Sequence, residues 1–292
     1  MLSRRHALLW LFVVLGGASL SHAADGTIAY LAVSGDYWQV WTMDPDGSNS
    51  RQVTKSPYEK SRISWFPDGR RVLVNSLSGD LNVIDVNTGR EERVECKVSG
   101  MTDAVLSPDG TRIAFSLSIA GSVDDNEIFV MGVDGSGIKK LTNMKHLQHN
   151  PSWGPAGRWI YFLSGEDVYH HDIWRVELES GARQQLTVGA VYHFDVAAAS
   201  DGRIAFSNNQ TGNYELYVRD AEERVRRLTQ SPALDGHPSW SPDEKELVFH
   251  SVRSGLMNIW KLGLNREEAV QLTNHPIGAR NPAWWAPLEG SI

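Results

Sequence analysis

Apolar and polar positions alternate along this chain in a short, recurring rhythm. Runs such as Arg71-Val72-Leu73-Val74, Arg112-Ile113-Ala114-Phe115, Trp159-Ile160-Tyr161-Phe162, Arg203-Ile204-Ala205-Phe206 and Glu246-Leu247-Val248-Phe249 are short and rich in β-branched and aromatic residues, with turn formers on either side. That combination predicts β-strands. After each run comes a polar loop and a second strand-like run, as in Glu127-Ile128-Phe129-Val130-Met131, Asp172-Ile173-Trp174-Arg175-Val176 and Asn258-Ile259-Trp260-Lys261-Leu262. No stretch of the mature chain sustains the 3.6-residue period of a helix.

A third signal fixes the unit. An aromatic or Leu followed by a tight turn precedes each first run: Trp65-Phe66-Pro67-Asp68-Gly69, Leu106-Ser107-Pro108-Asp109-Gly110, Trp153-Gly154-Pro155-Ala156-Gly157, Trp240-Ser241-Pro242-Asp243 and Trp285-Ala286-Pro287, with a worn copy at Ala199-Ser200-Asp201-Gly202. These anchors recur about every 41 to 47 residues, a period typical of propeller blades. Each unit closes on Leu-Thr or Val-Thr, at Thr54, Thr142, Thr187, Thr229 and Thr273. With the strand that leads into each anchor, the count is four strands per unit. The sixth unit is split: Ala283-Trp284-Trp285 begins it at the C-terminal end, and Gly26 to Thr54 completes it at the N-terminal end. The fold expected is therefore all-β, a six-bladed β-propeller of four-stranded blades whose ring closes by pairing N- and C-terminal strands.

The Trp-Ser-Pro-Asp-Gly turn, the strand after it, the Asp44-Pro45-Asp46-Gly47 turn and the Leu-Thr ending resemble the repeat of the TolB-type six-bladed propeller family. The resemblance runs from Ala24 to Ile292 and concerns the propeller alone; the α/β domain that precedes it in the family's namesake has no counterpart in this reading. It implies a binding or scaffold role more than a chemistry, because the same repeat also serves as an accessory domain of peptidases.

The first 23 residues read as a leader. Ser3-Arg4-Arg5 gives a basic start, Ala7 to Leu15 is an unbroken apolar run, and Ser21-His22-Ala23 offers small residues where a signal peptidase cuts. Cleavage after Ala23 leaves residues 24–292 as one propeller domain, exported to the periplasm by the twin-arginine or the general secretory route. No later segment has the length and hydropathy of a membrane span. Cys96 is the sole cysteine, so no intrachain disulfide forms. A net charge of −7 argues against nucleic acid as a partner.

Propeller topology sorts candidate chemistry onto two faces. The anchor turns and Asp-Gly hairpins gather Asp44, Asp46, Asp68, Asp109, Asp134, Asp201 and Asp243 on one face. Neither Asp44-Pro45-Asp46-Gly47-Ser48 nor Asp134-Gly135-Ser136-Gly137 carries the distal Glu of a calcium loop, so both are expected to be hairpin turns. The opposite face, made of blade-to-blade loops and of loops between second and third strands, collects His146, His149, His170, His171, His193, His237, His250 and His275. His149, His193 and His237 are expected just ahead of the innermost strands, with Arg62 and Arg280 in related positions; His170 and His171 are expected at the surface. Arg62, His149, His193, His237 and Arg280 thus form the candidate site at the channel mouth. Charge-assisted hydrogen bonds from these groups suit carboxylates, and Tyr37 and Trp38 are added as candidate contacts.

No nucleophile elbow, zinc-protease helix, phosphate-binding loop or dinucleotide fingerprint occurs, and no catalytic residue or cofactor is assigned. The expected function is non-enzymatic binding of an envelope protein or peptide with acidic groups, by a protein monomeric before it meets its partner. The alternative is a metal-dependent lyase or hydrolase acting on an anionic polysaccharide, with a divalent cation held by the imidazoles.

Overall fold

A computed structural model describes residues 26–118, 125–165, 170–189, 191–266 and 268–286. The expected leader, residues 1–23, and Pro287 of the last anchor lie outside the described residues. Six four-stranded antiparallel sheets follow one another around a ring, with a 3-10 turn at Pro155–Gly157 between the first two strands of one of them. We number the sheets as blades. Blade 1 joins the C-terminal strand Ala279–Trp285 to Thr27–Ser34, Tyr37–Met43 and Arg51–Gln52. Blades 2 to 6 begin with the inner strands Lys60–Trp65, Thr102–Leu106, Leu147–Trp153, His193–Ala198 and Asp235–Trp240. Thr27 pairs with Trp285 and Ala32 with Ala279, so strands from the two ends of the chain close the ring.

The second strand of every blade is a continuous apolar run because its blade is covered on both faces by neighbours. Val72-Leu73-Val74, Ile113-Ala114-Phe115 and Leu247-Val248-Phe249 are all fully buried. The core is correspondingly a ring of clusters at the blade junctions, such as Phe66, Leu73, Leu106 and Phe115 between blades 2 and 3, and Tyr161, Leu163, Val196 and Phe206 between blades 4 and 5. Each buried Val, Leu, Ile or Phe contributes about 1.5–3 kcal/mol.

The repeated threonine fastens the outer strand to the third. Thr54, Thr142, Thr187, Thr229 and Thr273 each accept from a backbone N–H, those of Val40, Ile128, Ile173, Leu216 and Ile259, at 2.8–2.9 Å. Each hydroxyl then donates to the side chain one residue earlier: Gln39, Glu127, Asp172, Glu215 or Asn258. Blade 2 has Val94-Glu95 in place of this pair and keeps only the backbone bond from Val94 to Leu81.

The anchors are equivalent by pairing. Trp65, Leu106, Trp153, Ala198, Trp240 and Trp284 each face the first apolar residue of the second strand, Val72, Ile113, Ile160, Ile204, Leu247 and Ile28. In blade 1 the anchor position therefore belongs to Trp284, one residue before the expected Trp285, and in blade 5 to Ala198 rather than Ala199. Trp285 instead lies against Trp65, with ring centroids 6.0 Å apart, and donates to the Pro67 carbonyl. Gly69 makes room for it, since a Cβ there would sit 2.1 Å from the Trp285 ring.

Candidate functional site

Every inner strand carries a bulge at, or one residue ahead of, the position three residues before its anchor, and the side chains at that position form a polar belt around the channel. Its members are Arg62, Asp103, Asn150, Asp195, His237 and Asn281, one per blade. Asp103, Asn150, His237 and Asn281 have φ between 51° and 56°. Asn and Asp tolerate this left-handed backbone at low cost, and the bulge turns the side chain toward the next blade. Asn281 Nδ2 donates to the Ser61 carbonyl at 2.5 Å and Asn150 Nδ2 to the Phe194 carbonyl at 2.7 Å. Asp195 accepts the His237 backbone N–H at 2.8 Å and lies 3.2 Å from its ring Nε2. Arg62 reaches past blade 3: its guanidinium donates to Asn150 Oδ1 at 2.8 Å and to the Pro151 carbonyl at 3.4 Å, and lies 3.9 Å from Asp103.

The five candidate residues stand at three depths, inside the inner strands rather than ahead of them. Arg62 and His237 are belt members and line a channel cavity of about 390 Å³ that touches all six blades. His149 and Arg280 stand one position nearer the loop face, and His193 two. His193 is buried and its Nδ1–H donates to the His171 carbonyl at 2.7 Å, so it braces the wall. Arg280 stacks over Trp38 at 4.1 Å, and burial lowers its affinity for a proton, with Glu59 partly opposing that. Glu59 in turn accepts the Trp38 backbone N–H at 2.8 Å. Arg280 and Trp38 are thus one unit at the mouth.

His171 is not at the surface. It is buried, its Nδ1 is 2.7 Å from His149 Nε2, and its ring stacks on Tyr192 with centroids 4.2 Å apart. Gly165 admits the ring, since a Cβ there would lie 2.5 Å from His171 Nε2. That opening is specified by a glycine six residues away, which adjacency in sequence does not reveal.

Burial governs the titration of these groups. It holds His149, His237 and His250 at about 3, reinforced for His149 by His171 and Arg62 and for His237 by Arg62. His193 is lowered for the same reason. These imidazoles are neutral at neutral pH, and the positive charge of the mouth belongs to the two arginines. Burial also pushes the Asp195 carboxyl up, against the His237 backbone N–H, His250 and Arg62.

Among the described residues, no group of three or more His, Cys, Asp and Glu side chains is arranged to hold a metal ion. On the opposite face the aspartates are bound within their own turns. Asp46 accepts from Ser48 N at 2.8 Å, Asp134 from Ser136 N at 3.0 Å and Asp68 from Arg71 Nε at 2.7 Å.

The chain belongs to the TolB beta propeller domain family, whose model matches residues 22–204. Among relatives of known name, the Tol-Pal system protein TolB of Francisella tularensis is 27% identical over 279 residues, which cover 88% of this chain and 63% of that one. The Tol-Pal system protein TolB of Anaeromyxobacter dehalogenans is 36% identical over 118 residues, 40% of this chain and 26% of its own. The crystal structure of TolB from Acinetobacter baumannii superposes with a TM-score of 0.78 at 23% identity, covering 90% of this chain and 67% of that one, a likeness of fold. The matched segments thus leave a third or more of each of these relatives without a counterpart here. Among the described residues no helix is long and apolar enough to cross a membrane.

Proposed function

We propose that this protein is an exported, periplasmic propeller that binds an envelope protein or peptide without catalysing a reaction. Its relatives are named as components of the Tol-Pal system, which supports an envelope protein as partner. The observation that carries the reading is the composition of the loop face. Leu77, Val188, Leu256 and Ile277 are exposed large apolar residues, and all four lie in loops on the same side as Arg280. Apolar contacts around half-buried cations are the anatomy of a protein-binding surface, where central residues carry affinity and the periphery excludes water. Acidic groups on the partner complement Arg280 and Arg62, while the neutral imidazoles shape the mouth.

Cross-linking in the periplasm tests this. Photoreactive residues placed at Leu77, Val188, Leu256 and Ile277 are expected to trap a discrete envelope partner, and equivalents at Asp109 and Asp243 on the anchor face are not. Trapping only from the anchor face overturns the reading. Turnover of a polyuronate by the purified protein overturns its non-enzymatic part.

A further inference from the structure

The channel below the polar belt reaches the anchor turns, where Pro67, Pro108 and Ala286 line it, and its wall has a chemistry of its own. Even-numbered blades place Ser64, Ser152 and Ser239 one residue before the anchor, and all three line the 390 Å³ cavity. Each hydroxyl accepts a backbone N–H from the adjacent blade, of Leu106, Ala198 or Trp284, at 3.0–3.2 Å. A hydroxyl that accepts still has one O–H to donate, and among the described residues no acceptor takes it up. Three donors therefore stand at every second blade around one axis. Above them is Arg62, which commits two N–H groups to Asn150 and Pro151 and has others left from its five. Below them the wall is aromatic, with Trp65, Trp153, Trp240, Trp284 and Trp285 around the lumen.

The indoles offer apolar surface and little attraction for a further cation. Three already carry a cation over the ring: Arg112 at 5.1 Å from Trp153, Arg203 at 4.9 Å from Trp240 and Lys261 at 5.6 Å from Trp284. A ring so occupied has little left to offer a cationic guest. The acidic rim outside is largely neutralised, with Arg71 on Asp68 at 2.7 Å, Arg203 on Asp201 at 2.6 Å and Lys245 on Asp243 at 3.2 Å. Beside the lumen, Asp103 pairs with Arg62 at 3.9 Å, close enough for ionic attraction but beyond hydrogen-bond reach, so it occupies none of the guanidinium N–H groups.

We infer that the channel, entered from the anchor face, is a second binding site, for a small carboxylate whose head group meets Arg62 and the serine hydroxyls and whose apolar body lies among the indoles. The volume lies in the roughly 300–1,000 Å³ range of small-ligand pockets, and an apolar wall with few convergent polar groups is their usual make-up. This site shares Arg62 with the partner surface on the loop face, while its serines and indoles belong to it alone.

The test uses the purified protein, 3-phenylpropionate, its uncharged amide and acetate, with calorimetry and tryptophan fluorescence as readouts. Binding of the acid with a fluorescence change is expected, at least tenfold tighter than the amide, with acetate weaker still for lack of an apolar body. Ser239→Ala and Arg62→Gln are expected to reduce the preference for acid over amide at least threefold, and Trp285→Ala to weaken both ligands alike. Because Arg62 also braces the belt, Ser239→Ala supplies the head-group test if Arg62→Gln fails to fold. Trp285→Ala is expected to leave loop-face cross-linking intact, which separates this site from the partner surface. Equal affinity for acid and amide, no binding at millimolar concentration, or a preference indifferent to Ser239→Ala overturns the inference.

Discussion

The indole Nε1 of Trp65 donates to the main-chain carbonyl of Ala283 across 2.9 Å, joining blade 2 to the C-terminal strand that closes the ring. Trp153 reaches Val105 and Trp240 reaches Ala197 in the same way, each at 3.0 Å. At the other three junctions the serine beside each of these tryptophans accepts a backbone N–H of the following blade. Blades 2, 4 and 6 thus supply the side chains of these contacts on both sides, and blades 1, 3 and 5 receive them on backbone groups. Trp65→Phe keeps most of the ring's packing and removes the donor. A loss of about 1–2 kcal/mol is expected, from the bond and the carbonyl left without it, read as a lower urea midpoint at unchanged m-value.

Closure itself is a second prediction. Since Thr27–Ser34 has Ala279–Trp285 as its inner neighbour, a chain ending at Ala279 leaves an inner-strand gap in blade 1 and two junctions unpacked. Such a chain is expected to lose the single sharp thermal transition of the intact ring. A truncation that still melts cooperatively at the original temperature contradicts the closure argument.

Thr229 provides a test of the repeated outer-strand clasp. Its hydroxyl accepts from Leu216 N at 2.9 Å and donates to Glu215, a fully buried carboxylate that also takes Arg227 at 2.8 Å and Ser231 N at 2.8 Å. Thr229→Val preserves shape but leaves a buried charge short of one donor. A cost of about 1–3 kcal/mol is expected, larger than for the same change at Thr273, whose acceptor is the neutral Asn258. Chemical denaturation of the two variants side by side checks the order.

Which of these features can be seen in the sequence depends on whether residue identity repeats. The anchors, the apolar second strands and the Leu-Thr endings recur with much the same residues, so six blades, one of them split, follow from spacing. The belt does not recur in identity: Arg62, Asp103, Asn150, Asp195, His237 and Asn281 share only a place three residues before an anchor, and the bulge that turns them inward is a backbone feature. The threonine was legible as a strand end, but its partner lies 13 to 15 residues earlier on another strand. His171 was misplaced because the space it fills is made by Gly165. Histidines suggested a charged mouth by their number, whereas burial keeps them neutral.

Acid stability follows from that neutrality. His149, His237 and His250 fall from about 6.5 when unfolded to about 3 in the fold, so between those values the unfolded chain binds the extra protons. Stability contributed by the neutral rings is present above about pH 6.5 and is lost as pH falls toward 3. Asp195 and Asp235, raised by burial, act in the opposite sense and soften the decline. His250→Gln, which removes one titrating ring, is expected to flatten the dependence of the denaturation midpoint on pH over this window. An unchanged slope shows that His250 is charged in the fold.

Binding discriminates between the two faces. Arg280 lies at the mouth, half-buried over Trp38, and makes no described hydrogen bond between blades, whereas Arg62 ties blade 2 to blade 4. Arg280→Ala is therefore the variant that removes charge from the mouth with the least structural disturbance, and it is expected to weaken capture of an acidic partner at least tenfold, in line with loss of a charge-assisted hydrogen bond worth about 1.5–3 kcal/mol. Replacing Asp68 and Asp109 together is expected to leave capture within about twofold, because both carboxylates face the opposite end and are spent on their own turns. Thermal melts of both variants establish that the ring is intact before affinities are compared. Equal losses from the two faces place the partner elsewhere than the loop-face mouth.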